Sequence, residues 1–225
     1  EGNLFRRLWW RYWTMAPPGM DTERVDLAGR IFPLSVCWRF ITGDLAASTR
    51  TSADYTVAAA WATTSDGDLV LLDRVKAKVG EANHFDLFRP LAERWQVDTA
   101  FIEKSFHSST LAIDATNGGL HITPIDAEVD KFSRALPYSA RVSAGRVWLP
   151  AGASWTNDWV DEHAAFPQGI HDDQCDVGGF ATRVAVTRWS PVPFRAQTRN
   201  SIGSRPERQP DGEIGPPVDF MSANF

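Results

Sequence analysis

The stretch "GIHDDQCD", Gly169 to Asp176, places three carboxylates, Asp172, Asp173 and Asp176, within five residues, directly behind His171. Like charges this close repel unless a counter-charge is near. A solvated acidic loop is one resolution and a divalent cation is the other. Two more acids stand where a strand would end: Asp44 closes "CWRFITGD", and Glu103 falls at the end of "DTAFIEK". Taken singly, each has a plainer reading: a turn cap for Asp44, a surface pair with Lys104 for Glu103, an N-capped surface helix for "HDDQCD". Together, as oxygen-only ligands, they would select Mg2+ or Mn2+ over zinc. Two such ions, roughly 3.5–4 Å apart, can activate a water and stabilise the leaving oxygen of a phosphodiester.

The elements that must bring these acids together can be read from pattern. "CWRFITGD", "DYTVAAAWAT" and "DLVLLDRVKA" read as three successive antiparallel strands, the last two joined by a hairpin turn at "SDGD" (Ser65 to Asp68). "HFDLFRPLAERW" has apolar residues near helical spacing, and "DTAFIEK" is a fourth strand. "SSTLAIDATNGG" reads as a helix closed by glycine, "LHITPI" as a strand, "DAEVDKFSRALPYSARV" as a charged helix and "GRVWLP" as an edge strand or hairpin arm. "SWTNDWVDEHAAF" is a helix with a Ser cap, and the acidic cluster opens a last helix, whose N-terminal partial positive charge favours carboxylates. If the first and fourth strands lie side by side and parallel, Asp44 and Glu103 share one sheet edge, and the last helix can cross it. The fold class expected is α/β, a mixed sheet of three antiparallel strands with parallel additions, flanked by helices.

Residues 1–35 read as a lead-in packing on another domain, with "LFRRLWWRYW" as a short amphipathic helix; 36–186 as the folded domain; and 187–225, rich in Pro, Arg, Gly and Ser, as a flexible or docking tail. The chain does not start with Met and reads as part of something longer. With 225 residues, 43% apolar composition and ten tryptophans, there is material for a sizeable core. A net charge of −5 means that any polyanion surface must be a local basic patch. Two distant cysteines, Cys37 and Cys175, argue against a disulfide framework or zinc site and for a reducing, cytoplasmic setting. No apolar run is long enough to span a membrane, and no phosphate-binding P-loop motif occurs.

Taken in order, "GDLAASTRTSADYTVAAAWATT", "FIEKS", "DKFSRALPYSARVSAGRVWLP" and "FPQGIHDDQCDVGGFA" resemble the C-terminal nuclease domain of tailed-bacteriophage terminase large subunits, over roughly Ile41 to Ala185. The resemblance implies an RNase H-like fold and a metal-dependent endonuclease that cuts double-stranded viral DNA during packaging, with weak sequence specificity. Carried over by position, it makes Asp44, Glu103 and Asp173 catalytic metal ligands for two Mg2+ or Mn2+ ions, with Asp172 and Asp176 as further ligands. It makes Lys131, Arg134 and Arg141 contacts to DNA phosphates, with Arg50 and Lys104 as looser candidates, and it lets His107 and His171 orient water or phosphate. The partners implied are double-stranded DNA, an ATPase domain of the same full-length protein, the portal and the small terminase subunit. The implied setting is the cytoplasm of an infected bacterium, outside the mature virion. Two other readings stay open on the sequence: a transposase, integrase or resolvase on the same fold, and a docking module of a packaging motor with little activity in isolation.

Overall fold

Apolar or small at nearly every position, "TVAAAWAT" can be buried on both faces. The computed structural model, which describes residues 3–17, 23–46, 55–126 and 130–188, places it inside a sheet that has nine strands among those residues. In chain order these are β1 (Arg11–Met15), β2 (Arg24–Leu27), β3 (Arg30–Pro33), β4 (Trp38–Asp44), β5 (Thr56–Thr63), β6 (Leu69–Ala77), β7 (Thr99–Glu103), β8 (His121–Ile125) and β9 (Val147–Pro150). The helices are α1 (His84–Trp95), α2 (Phe106–Asn117), α3 (Lys131–Ser143), α4 (Thr156–Ala165) and α5 (Asp173–Arg188). Across the sheet the order is β3-β2-β1-β9-β6-β5-β4-β7-β8.

Strands β4, β5 and β6 are antiparallel, β7 joins β4 in parallel, and β8 follows β7 in parallel. This is the mixed α/β, RNase H-like sheet that the sequence led us to expect. Its two faces carry separate apolar clusters. On one, Phe40, Trp61 and Phe101 meet Tyr138 of α3, Trp159 of α4 and Phe180 of α5. On the other, Ile41, Ala58 and Ile102 meet Phe88, Leu91 and Trp95 of α1 and Leu111 of α2. Gly178 lets α3 and α5 approach closely, because a Cβ there would stand 2.2 Å from the Tyr138 ring.

Three expectations are corrected. "LFRRLWWRYW" is not a helix: Arg7–Trp9 make one 3-10 turn, and the stretch expected as a lead-in contributes β1, β2 and β3 to the sheet. Trp and Tyr favour a pleated surface. Trp13 is buried from β1 and its indole N–H donates to the Leu71 carbonyl of β6 at 2.9 Å, a contact that one turn of surface helix could not offer. "GRVWLP" is no edge: β9 lies between β1 and β6, parallel to both, and all four of its residues are buried. The Ser cap expected for α4 is not used either, since Trp155 holds that position without a side-chain bond. Both cysteines are free and buried. Helix α5 runs to Arg188, and the rest of the expected tail lies outside the described residues.

A candidate metal centre at the sheet edge

Parallel pairing sets Gly43 opposite Ile102, so the next residues, Asp44 and Glu103, end adjacent strands at the same level. Alternation along each strand turns both toward the face covered by α3 and α5, the face that Phe40 and Phe101 occupy below them. Helix α5 begins above this edge and delivers Asp173 and Asp176 from its first turn, 2% and 6% exposed.

The helix is tied to the strands at two points. Thr42, two residues before Asp44, donates its hydroxyl to the Val177 carbonyl at 3.0 Å while accepting from the Trp61 indole at 2.8 Å. Glu162 of α4 accepts from the Gln174 backbone N–H at 2.6 Å and from its side-chain amide at 2.7 Å. It thereby satisfies one of the donors that a helix start leaves unpaired. The buried Lys76 ammonium, 2.7 Å from the same carboxylate, neutralises it.

Asp44, Glu103, Asp173 and Asp176 line one open hollow of about 550 Å³, together with Tyr55, Asp130, Lys131 and Arg134. Burial, and then the charges of Asp176, Asp173 and Glu103, push the Asp44 carboxyl up to about 8, with Lys131 pulling it back. Ionising all four acids is therefore costly unless cations arrive, and those present come from α3. Lys131 lies 2.7 Å from Asp172 and 3.2 Å from Asp176, and Arg134 lies 2.8 Å from Asp176. Burial lowers the Lys131 pKa, but the hydrogen bond to Asp172 and the charge of Asp176 outweigh it and raise the group above its ordinary value.

Among the described residues no group of three or more His, Cys, Asp or Glu side chains is already arranged to hold a metal ion. The hollow instead offers convergent carboxylates on fixed backbones, with Asp172 and Asp176 drawn toward α3 by Lys131 and Arg134. An all-oxygen, acid-rich donor set suits a hard divalent ion and not a thiolate-seeking one. Asp44, Glu103 and Asp173, with Asp176, are the residues that would hold it. Asp172 lies at the rim, on Lys131.

The other expected site residues scatter. His171 stands beside the hollow, its Nδ1 4.0 Å from Asp173 and its ring edge-on to Tyr55. Lys104 is exposed, 3.4 Å from Asp126. Arg141 is not brought to the acids. Its guanidinium donates to the Gly67 carbonyl in the β5–β6 turn, at the opposite end of these strands from Asp44. Arg50 and the His107 side chain lie outside the described residues. Sequence reading missed Thr42, Tyr55, Glu162 and Gln174. Glu162 did leave a signal: it falls three residues after Trp159 on the apolar face of α4, where an acid has no reason to be unless paired.

Solved structures share this fold at low sequence identity. The large terminase nuclease from thermophilic phage G20c with bound magnesium superposes with a TM-score of 0.56 at 13% identity, covering 81% of this chain and 97% of that one. The same nuclease has also been solved with zinc and with cobalt. The human cytomegalovirus terminase nuclease domain matches at 0.52 and 11%, over 65% of this chain and 82% of that chain. A large terminase from a second thermophilic bacteriophage, in complex with ADP, matches at 0.50 and 9%, over 66% of this chain and 40% of that chain. Neither a family model nor a curated protein matches the sequence.

Proposed function

We propose that the chain is the nuclease domain of a viral terminase large subunit, a metal-dependent endonuclease that cuts double-stranded DNA during genome packaging. The observation that carries this reading is the convergence of Asp44, Glu103, Asp173 and Asp176 from β4, β7 and α5 on one hollow. The fold shared with terminase nuclease domains supports it. A pair of Mg2+ or Mn2+ ions held there would supply charge to activate water and to stabilise a leaving oxygen.

The chain's own residues do the rest. Asp44 and Glu103, on strand ends, and Asp173, on the first turn of a helix braced by Glu162 and Thr42, fix the reacting end of the site. Lys131 and Arg134, now on Asp172 and Asp176, lie where they can turn to DNA phosphates once those carboxylates are otherwise engaged. Contacts to phosphate carry no sequence information, so specificity is weak. The ADP-bound bacteriophage protein, of which this chain covers 40%, is a large terminase. This supports an ATPase domain in the same full-length protein; the portal and the small terminase subunit as partners, in the cytoplasm of an infected bacterium, belong to the same proposal. Among the described residues no helix is long and apolar enough to cross a membrane.

Incubation of supercoiled plasmid with EDTA, Mg2+ or Mn2+ tests the proposal. Nicking and linearisation that need metal, and that Asp173→Ala abolishes, are expected. An active Asp173→Ala variant, or no cleavage with either metal at high enzyme concentration, would overturn it.

A further inference from the structure

The hollow is walled on the α3 side by Lys131 and Arg134, both of which already meet its acids. The opposite wall is Tyr55, the residue just before β5. Its backbone N–H lies 3.4 Å from Asp173 Oδ2, and His171 packs edge-on against its ring at 5.2 Å. The antiparallel register that sets Thr56 opposite Ala77 and Val57 opposite Lys76 turns Lys76 and Lys78 toward the same face as Tyr55. Both ammonium groups lie 4.9 Å from the centroid of that ring. One ring thus connects the acidic hollow to two lysines on the side away from α3.

The two lysines differ in burial. Lys76 is 10% exposed, 2.7 Å from Glu162 and 3.6 Å from Asp158, so its charge belongs to the brace of α5. Lys78 is exposed at the end of the strand. A polyanion approaching four carboxylates is repelled, and cations on one wall alone would hold it off-centre. Lys78, against the Tyr55 ring and just outside the lining, would supply positive charge on the second side.

We infer that Tyr55 and Lys78 form a second phosphate-binding subsite, on the β5–β6 wall of the hollow, which takes a backbone phosphate flanking the one to be cut; the inference rests on the nuclease reading. Lys78 supplies the charge. Tyr55, held by His171 and by the packing of Lys76, keeps that charge at a fixed offset from Asp173. The contact is to phosphate, so it acts alike on all sequences.

The test is binding of a fluorescein-labelled DNA duplex to the whole chain in Ca2+, followed by anisotropy between about 50 and 200 mM salt, with plasmid cleavage in Mn2+ measured beside it. Lys78→Gln is expected to weaken binding several-fold at the lowest salt and to flatten the slope of log K on log salt by about one. Lys78→Arg is expected to restore the slope, which a purely structural role would not require. A Lys78→Gln slope equal to wild type overturns the subsite, and if metal-dependent cleavage persists the nuclease reading stands. A flattened slope restored by Lys78→Arg, in a wild-type chain that cuts nothing, keeps the subsite as a DNA contact and sinks the nuclease reading. A wild-type chain that does not bind the duplex overturns the subsite, whatever the cleavage result.

Discussion

Asp44 carries the tension of the site. Its carboxyl is pushed up to about 8 by burial and by three neighbouring acids, against 3.8 for an ordinary aspartate. Between those two values the folded chain holds a proton that the unfolded chain has released. Stability without metal therefore falls as pH rises through the window. Asp44→Asn removes the group that titrates. In a chelator it is expected to raise the melting temperature near pH 8, by roughly 2–4 °C for each kcal/mol recovered, and to lose most of the pH slope between about pH 5 and pH 8. It should also abolish cleavage. Scanning calorimetry at the two pH values checks this, and equal slopes in variant and wild type would contradict the account. Stability gained where activity is lost is what a site shaped for a cation, and not for the empty fold, should show. These acids were legible in the sequence because each ends a strand or opens a helix. Their cationic partners were legible only in part: Lys131 and Arg134 face the hollow, whereas Arg141, in the same motif, faces the far end of the sheet.

At the scale of elements, the decisive one is α5, whose first turn must stay over the ends of β4 and β7. Glu162, 5% exposed at its side chain, holds that turn and shares Lys76 with Asp158. Glu162→Ala leaves a buried ammonium and a helix donor without their main acceptor, and should cost about 3–5 kcal/mol of stability. Glu162→Gln keeps the shape and some of the hydrogen bonds. It is expected to fold, yet to bind Mn2+ several-fold more weakly, because Asp173 sits next to the loosened Gln174. Calorimetric titration with Mn2+ beside urea unfolding separates the two effects, and a less stable variant with unchanged affinity would show that Glu162 supports the fold alone. Most of the elements could be read from periodicity, including α1 with Pro90 inside it. Strands β1, β2 and β3 could not, and β9 could be read as a strand but not placed inside the sheet. A four- or five-residue strand carries too few alternations to distinguish it from a helical turn or an edge arm, and only the sheet it completes shows which it is.

Across the whole molecule, a net charge of −5 would repel DNA if it were spread evenly. The described structure instead concentrates acids at one sheet edge and flanks them with lysine and arginine from α3, while Lys78 packs on Tyr55, which lines the same hollow. Length and composition could not reveal that placement, since it arises from parallel pairing between β4 and β7, strands that more than fifty residues of chain separate. The central claim is that this edge is a single divalent-metal centre. An anomalous-difference map from crystals soaked in Mn2+ tests it most directly. The account predicts density enclosed by the carboxylates of Asp44, Glu103 and Asp173, with Asp176 adjacent and Asp172 still at the rim. Manganese bound only elsewhere on the chain, with the hollow empty at saturating Mn2+, would contradict it.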